Sequence, residues 1–277
     1  MNDHNNNNHG NGSQGVTEGL DELFGLFQSA HQDGTLSAAS MQTLTIVDPG
    51  AQIQAGLGVR VEDVAASEVV LVAMMPDDSG SIRFAGNAEA VRRGHNAVLD
   101  ALARSRQQAD ILVHTRYLNG HVLFPFCPID QAVRMDKRNY NPSLGTPLYE
   151  QTVTLLATMV AKAQEFVEQG VPARTVTLLI TDGADMHSSR ARARDVANLV
   201  RDMQRAEQHV VAAMGISDGS TDFRAVFDEM GIDPRWVMTP GSSASEIRRA
   251  FQVFSQSAVR VSQAASFSGA TLGGFAG

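Results

Sequence analysis

The sequence predicts an α/β fold, a doubly wound and mostly parallel sheet with helices on both of its faces. The first observation is that short apolar runs, typical of buried strands, alternate with amphipathic segments, typical of helices, over residues 66–264. This alternation is characteristic of parallel sheets. The second observation is the pair Asn119-Gly120, a tight-turn signal after which residues 121–129 are expected to return antiparallel.

The first strand of this sheet precedes an acidic loop. Residues 69–75 are all apolar and stop at Pro76, after which the sequence runs Asp77-Asp78-Ser79-Gly80-Ser81. A short apolar run bounded in this way predicts a strand that is buried on both faces. Ligands of open α/β sheets bind outside the carboxyl ends of the strands, where this loop would lie. Asp77, Ser79 and Ser81 alternate, so their oxygens could converge on one point and suit Mg²⁺ or Mn²⁺.

The remaining elements follow from periodicity and turn residues. The predicted helices span residues 87–107, 147–169, 190–208, 222–230 and 244–264, and the predicted strands span 109–117, 121–129, 174–181, 209–216 and 236–239. Before them we expect a disordered Asn- and His-rich tail (1–16) and a small extension of helix and strand (17–65). The extension contains a helix at 17–30 with Thr17 as N-cap and strands at 41–47 and 51–61. The main domain covers 66–264, and a flexible tail covers 265–277.

Composition and charge argue against several classes of function. The chain has 277 residues, of which 43% are hydrophobic, and a formal charge of −8. This acidity argues against general binding of nucleic acid or of anionic membranes. No apolar run reaches the ~20 residues of a membrane-spanning helix, and the start lacks the features of a signal peptide. Cys127 is the single cysteine and sits in an apolar run, so we expect a buried thiol in a reducing, cytoplasmic setting.

Two further stretches complete a three-part pattern. Residues 143–148 read Ser-Leu-Gly-Thr-Pro-Leu and place Thr146 at the start of a long helical segment. Residues 177–183 read Thr-Leu-Leu-Ile-Thr-Asp-Gly and end a second apolar strand on Asp182. In this order, and together with Asp77, Ser79 and Ser81, these stretches resemble the von Willebrand factor type A (VWA) domain and its metal-ion-dependent adhesion site. The resemblance covers residues 66–262.

The resemblance implies a metal site and a manner of binding. Ser79, Ser81 and Thr146 would supply hydroxyl oxygens, and Asp77 and Asp182 would bind Mg²⁺ or Mn²⁺ directly or through water. The sixth position of the ion is left in this family for water or for an acidic side chain of a protein partner. The chain looks similar to bacterial stand-alone members linked to tellurium resistance, which implies an AAA-ATPase or a stress-response protein as partner. Pro76 departs from the family, which usually has a plain apolar residue there, but it removes no ligand.

Two other interpretations stay open at the level of the sequence. In one, the polar residues only cap helices and turns, and the domain is a metal-free scaffold. In the other, the chain is a metal-dependent phosphohydrolase on a similar sheet, with Asp78, Asp185 and His187 as the candidate catalytic groups. Phosphohydrolases that form an aspartyl phosphate have a second aspartate two residues after the first, and this chain has Ser79 there. We therefore expect a binding module and not an enzyme.

Overall fold

A mixed six-stranded sheet forms the centre of the part of the chain that the structure describes. The computed structural model describes residues 11–105, 110–264 and 273–276. The strands are β1 (Val69–Pro76), β2 (Ile111–Arg116), β3 (Val122–Pro128), β4 (Ala173–Thr181), β5 (His209–Gly215) and β6 (Val237–Met238). Their order is β3-β2-β1-β4-β5-β6, and only the β2–β3 pair is antiparallel. The predicted fold class, including the antiparallel strand at an edge, is confirmed.

Helices cover both faces of this sheet. They are α1 (Asn11–Gln32), α2 (Ala38–Val47), α3 (Gly50–Leu57), α4 (Gly80–Phe84), α5 (Ala88–Ala103), α6 (Leu148–Glu168), α7 (Ala193–Arg205), α8 (Phe223–Glu229) and α9 (Ala244–Ser262). Apolar side chains of α6, α7 and α8 form one core with the sheet, and those of α5 and α9 form the other. None of the described helices is both long enough and apolar enough to cross a bilayer.

Strand β1 contributes side chains to both cores, as its sequence predicts. All eight of its residues are buried. Successive side chains of a strand point to opposite faces. Leu71 and Met75 therefore lie in the core beneath α6, whereas Val70 and Met74 lie in the core beneath α5. The strand is thus buried on both faces, and its carboxyl end can project a polar loop only at the edge of the two layers.

Helices α5 and α9 approach each other closely on the second face. A Cβ atom on Gly94 of α5 would overlap the ring of Phe251 of α9. Glycine is the one residue that leaves room for an aromatic ring at this crossing. The contact fixes the helix that follows the acidic loop against the last helix of the domain.

The segment before the sheet is helical, and the two strands predicted there are wrong. Ser37 caps α2 by accepting a hydrogen bond from Ser40 N at 3.3 Å. The buried residues of α2 are Ser40, Thr43, Leu44 and Val47, a spacing of three to four residues that matches a helix. Contact with α6 and α7 therefore overrides the preference of Thr43 and Val47 for strands. Residues 51–57 likewise form α3 and not a strand.

The first helix is longer than the sequence predicts. Helix α1 begins at Asn11, so Thr17 lies inside it and is not its N-cap. Residues 11–16, which we expected to be disordered, belong to this helix. Residues 1–10 of the predicted disordered tail lie outside the described residues, as do residues 265–272 and 277 of the predicted C-terminal tail. Within that tail, the ring of Phe275 packs edge-on against Trp236 at 5.2 Å.

The N-terminal helices form an outer layer over α6. Ser40 Oγ donates a hydrogen bond to Asp202 Oδ2 of α7 at 2.6 Å. Gln164 Nε2 of α6 donates to Ser29 Oγ of α1 at 3.1 Å. Since the sheet lies on one side of α6 and α1–α3 on the other, 16 of its 21 residues are buried. Helix α6 is therefore an interior helix, and its first turn lies next to the polar loops described below.

The segment that follows α3 runs along the outer edge of the sheet. Val59 N donates a hydrogen bond to Phe126 O of β3 at 2.8 Å. Gly58 has a φ of 63° and lies so close to Phe126 that a Cβ atom would overlap the backbone there. Cys127 in the same strand is only half-buried, and burial raises the pKa of its thiol to about 11.

Candidate metal centre

The two predicted carboxylate ligands lie on adjacent strands where the order of the sheet reverses. Strand β1 pairs with β2 on one side and with β4 on the other. Pro76 is in register with Ile180, and Asp77 N donates a hydrogen bond to Ile180 O at 2.9 Å. Asp77 and Asp182 therefore leave the sheet side by side. This is the position at which open α/β sheets bind their ligands.

A chain of hydrogen bonds connects four of the five predicted site residues. Thr181 Oγ1 donates to Asp77 Oδ2 at 2.7 Å, and Ser79 N donates to Asp77 Oδ1 at 2.7 Å. The hydroxyls of Ser79 and Ser81 are 2.8 Å apart. Ser81 Oγ donates to Asp182 Oδ1 at 2.6 Å. The hydroxyls of Ser79 and Ser81 therefore lie together, with Asp77 bound to the backbone of Ser79 at one end of the chain and Asp182 to the hydroxyl of Ser81 at the other.

Thr146 reaches the same edge of the sheet on a separate loop. Ser79 and Leu144 form a parallel bridge, in which Gly80 N donates to Leu144 O at 3.0 Å. Thr146 N donates to His187 Nδ1 at 2.8 Å, and the residue is buried with 7% exposure. Among the described residues the Thr146 hydroxyl has no hydrogen-bond partner. The structure thus places Thr146 on a loop that pairs with Ser79 and Gly80 through Leu144, outside the hydrogen-bond chain of the other four residues.

The loop of Thr146 is held on its other side by the loop after β4. Met186 N donates to Thr146 O at 3.0 Å. A Cβ atom on Gly145 would lie 2.8 Å from His187 Nδ1, so the histidine ring rests directly on the glycine. Glycine is required at this position because any larger residue would displace the ring that accepts the Thr146 N–H. The three loops are therefore locked together by backbone contacts.

The two carboxylates of the site are buried and electrostatically strained. Asp77 is 0% and Asp182 3% exposed, whereas Ser81 is exposed and opens the site to solvent. The pKa of Asp182 is raised to about 6, mainly by burial and also by repulsion from Asp77 and Asp218. The hydrogen bond from Ser81 opposes this rise. Burial also raises the pKa of Asp77, while hydrogen bonds from Ser79 and Thr181 oppose this. A cation between the two carboxylates would relieve both effects.

The neighbouring aspartates Asp78 and Asp185 hold the backbone in place. Asp78 Oδ1 accepts hydrogen bonds from Asn119 N at 3.0 Å and from Asn119 Nδ2 at 2.8 Å. Asp185 Oδ1 accepts from Tyr149 N at 3.1 Å and from Ser188 Oγ at 2.6 Å. Each carboxylate thus fixes the start of another segment, the β2–β3 turn in one case and α6 in the other. Both already make the contacts expected of structural residues.

The donor set fits a hard divalent cation. It offers two carboxylates and three hydroxyls, and oxygen ligands of this kind suit Mg²⁺ and Mn²⁺. Oxygens on adjacent corners of an octahedral Mg²⁺ lie roughly 3 Å apart. The Ser79–Ser81 and Ser81–Asp182 oxygen separations, 2.8 and 2.6 Å, are already close to that spacing. Among the described residues no group of three or more His, Cys, Asp or Glu side chains could hold a metal, so any site here depends on hydroxyls.

The sequence does not predict several residues of the site. Thr181 and Tyr140 orient Asp77. The Thr181 hydroxyl donates a hydrogen bond to the Asp77 carboxylate, and the Tyr140 hydroxyl donates one to the main-chain carbonyl of Asp77. The only signal for Thr181 is a hydroxyl at the end of an apolar strand, and Tyr140 gives none because it lies in a distant polar loop. Exposed apolar side chains on the site loops (Phe84, Leu144 and Met186) were also missed, although each stands out in a polar stretch.

Comparison with solved structures supports the fold and does not identify a family. No family model matches the chain, and no curated protein matches it. The pilus adhesin SpaC from Lactobacillus rhamnosus GG, in its open conformation, is similar with a TM-score of 0.52 and 14% identity over 72% of this chain. The match covers 31% of the adhesin, so this chain spans about a third of that protein's length. At this identity the likeness is one of fold.

Two other solved structures have lower scores. The SpRpn10 VWA domain matches with a TM-score of 0.46 and 9% identity, over 68% of this chain and 95% of that domain. Manganese-loaded TRAP protein from Plasmodium vivax matches with a TM-score of 0.43 and 17% identity, over 68% of this chain and 74% of that one.

Proposed function

We propose that this chain is a VWA-like protein-interaction module that uses a divalent cation to bind an acidic side chain of a protein partner. The observation that carries the proposal is the chain of contacts from Asp77 through Ser79 and Ser81 to Asp182 at the switch point of the sheet. The VWA resemblance of the sequence and the fold shared with an adhesin support the same function.

The chemistry of the site favours Mg²⁺, with Mn²⁺ as an alternative. Asp77, Ser79, Ser81, Thr146 and Asp182 would hold the ion, which when bound would attract a carboxylate from a partner. The pKa of Asp182, about 6, leaves this carboxylate mostly charged at neutral pH, where the pair repels unless a cation is present. Buried oxygens and an exposed Ser81 together provide a site that is held rigidly on the inside and is open on one side.

The proposal includes a class of partner and a location. The resemblance to bacterial stand-alone VWA proteins linked to tellurium resistance favours an AAA-ATPase or a stress-response protein as the partner. A single cysteine, which cannot form an internal disulfide, favours a cytoplasmic protein. The formal charge of −8 favours neither nucleic acid nor membrane.

We propose a binding role without catalysis. The groups that a phosphohydrolase would need, Asp78, Asp185 and His187, are occupied by contacts to Asn119, to the start of α6 and to Thr146 N. A general base has to be within reach of its substrate, and the contacts that these three groups make give each of them a structural role in the loops. A phosphatase assay in which Asp182→Asn removes a metal-dependent activity would support the alternative.

Calorimetry tests the metal and capture tests the partner. Titration of the chelator-treated protein should show binding of Mg²⁺ or Mn²⁺ that is lost in Asp77→Ala. Asp130→Ala is the matched control, because Asp130 is an exposed aspartate in the turn after β3, at the opposite end of the sheet. Equal heats of binding in wild type and Asp77→Ala would overturn the site.

Capture from native lysate then separates a metal bridge from general charge attraction. Partners held through the ion should leave the immobilised protein in chelator and remain in moderate salt, which screens only exposed charges. They should also be absent from immobilised Asp77→Ala. Partners that leave in salt but remain in chelator would contradict a metal-bridged interaction.

A further inference from the structure

The most exposed large apolar side chains of the described residues lie on the segments that carry the predicted ligands of the candidate metal centre. Phe84 is 82%, Met186 74% and Leu144 55% exposed. Each follows or precedes a predicted ligand in the chain: Phe84 lies three residues after Ser81, Leu144 two before Thr146 and Met186 four after Asp182. We refer to Phe84, Leu144 and Met186 as the apolar rim.

The rim residues are held in place, although their side chains are exposed to solvent. Leu144 N donates to Asp78 O at 3.1 Å, and Leu144 O accepts from Gly80 N at 3.0 Å. The Phe84 ring folds back towards Gly80, where a Cβ atom would lie 3.4 Å from Phe84 Cε2. The third residue, Met186, is tied through its N–H to Thr146 O at 3.0 Å. Rigid backbone with exposed apolar side chains is the arrangement of a binding surface and not of a mobile loop.

The net charge of the protein and the small size of a carboxylate indicate what kind of partner segment the apolar rim would bind. The protein as a whole is acidic, so long-range attraction does not bring an acidic partner to it. A single carboxylate on a metal ion also buries too little surface for a specific complex, which needs about 800 Å² on each partner. Apolar contacts around the ion would supply the missing area and affinity. Arg83, whose guanidinium lies 5.1 Å from the centre of the Phe84 ring, adds a positive charge beside the rim.

We propose that the apolar rim binds the residues that flank the acidic side chain of the partner, so that the recognised segment is a carboxylate between apolar side chains. This inference rests on the proposed metal-dependent function and specifies its partner. The acidic residue would supply dependence on the ion, and its apolar neighbours would supply selectivity among acidic segments. A few well-packed residues near the centre of an interface typically carry most of its affinity.

Selection from a library of random displayed peptides tests this inference. The immobilised proteins are wild type, a rim variant with Phe84→Ser, Leu144→Ser and Met186→Ser, and the control Ile46→Ser. Ile46 on α2 is 53% exposed, which matches Leu144, and it lies in the N-terminal extension and not on a loop that carries a predicted ligand. Selections run in Mg²⁺ and in chelator, and the Mg²⁺-dependent rise in melting temperature is measured for every variant.

The expected result is enrichment, in Mg²⁺ only, of peptides with an acidic residue flanked by apolar ones. The best synthetic peptide should bind the rim variant roughly tenfold to a hundredfold more weakly and the Ile46→Ser variant unchanged. The rim variant should keep its Mg²⁺-dependent melting shift, since the ligand oxygens remain.

Three outcomes would overturn the inference. Acidic peptides without apolar neighbours would leave the metal-dependent function standing and refute the role of the rim. Apolar peptides that bind equally in chelator would show a surface that is independent of the ion. Absence of any Mg²⁺-dependent enrichment, together with absence of a melting shift, would refute the proposed function itself.

Discussion

Two pairs of aspartates lie within a few residues of each other and make different contacts. Asp77 accepts hydrogen bonds from the Thr181 hydroxyl and from Ser79 N, and Asp182 accepts one from the Ser81 hydroxyl, which lies 2.8 Å from the hydroxyl of Ser79. Asp78 and Asp185 instead accept backbone N–H groups from Asn119 and Tyr149, which belong to other segments. Hydroxyls can rotate and offer lone pairs to a cation, whereas a backbone N–H can only donate. The first pair is therefore available to a metal, and the second pair builds the loops around it.

The largest expected difference between the pairs is in stabilisation by metal. At 100 times the dissociation constant, a ligand of the folded state stabilises it by about 2.7 kcal/mol, which for a domain of this size is a rise of about 5–10 °C in Tm. We expect this rise in wild type, Asp78→Asn and Asp185→Asn, and its loss in Asp77→Ala and Asp182→Asn. Differential scanning calorimetry with and without Mg²⁺ measures it. Equal Mg²⁺-dependent shifts in Tm for all five proteins would contradict the assignment of different roles to the two pairs.

In the absence of metal we expect a smaller effect, a loss of stability on mutation of Asp78, which belongs to the second pair. Asp78→Ala leaves the partly buried Asn119 N–H without its acceptor and should lower the free energy of unfolding by about 1–3 kcal/mol. Asp78→Asn keeps an acceptor oxygen and should lose less. Urea unfolding in chelator compares the two. A fully stable Asp78→Ala would show that the β2–β3 turn does not depend on this carboxylate.

The dependence of stability on pH should also differ between metal-free and metal-bound protein. Burial raises the pKa of Asp182 to about 6 in the folded state, above its ordinary value of 3.8. The folded state therefore binds more protons than the unfolded state between these values, and stability falls as pH rises through this window. We expect the metal-free wild type to lose stability from pH 4 to pH 7, and Asp182→Asn to lose less. Saturating Mg²⁺ should flatten or reverse the wild-type trend.

The smallest effect is expected at Thr146. Its hydroxyl contributes one neutral ligand, so Thr146→Ala should weaken Mg²⁺ binding by roughly fivefold, equivalent to a contact of about 1 kcal/mol. Thr146→Ser keeps the hydroxyl and is the control. Calorimetric titration of both variants measures the difference. If Thr146→Ala binds Mg²⁺ as tightly as wild type, Thr146 is outside the site.

The sheet was predictable from the sequence because its strands are buried. The apolar run of β1 and the strand that ends on Thr181 are short, apolar and bounded by turn residues, which favours a strand buried on both faces. Four of the five predicted ligands follow these strand ends, and hydrogen bonds connect them, whereas Thr146 lies on the loop before α6. The metal that they would hold stays a prediction.

The N-terminal helices and the supporting contacts of the site were not predictable in this way. Residues 41–47 are rich in β-branched side chains, and their helical state depends on packing against α6 and α7. Tyr140 reaches the Asp77 carbonyl across 63 residues of sequence, a contact that no local pattern encodes. Local periodicity thus gives the strands and their loops, whereas contacts between distant segments decide what each loop residue does.

The edge strand β3 limits the ways in which this protein can associate. An edge strand normally invites another chain to add a strand to the sheet. Pro125 and Pro128 of β3 have no N–H to offer, and Phe126 O already accepts the N–H of Val59. Self-association by strand addition along this edge is therefore blocked, a safeguard against aggregation in a molecule that exposes apolar side chains elsewhere on its surface.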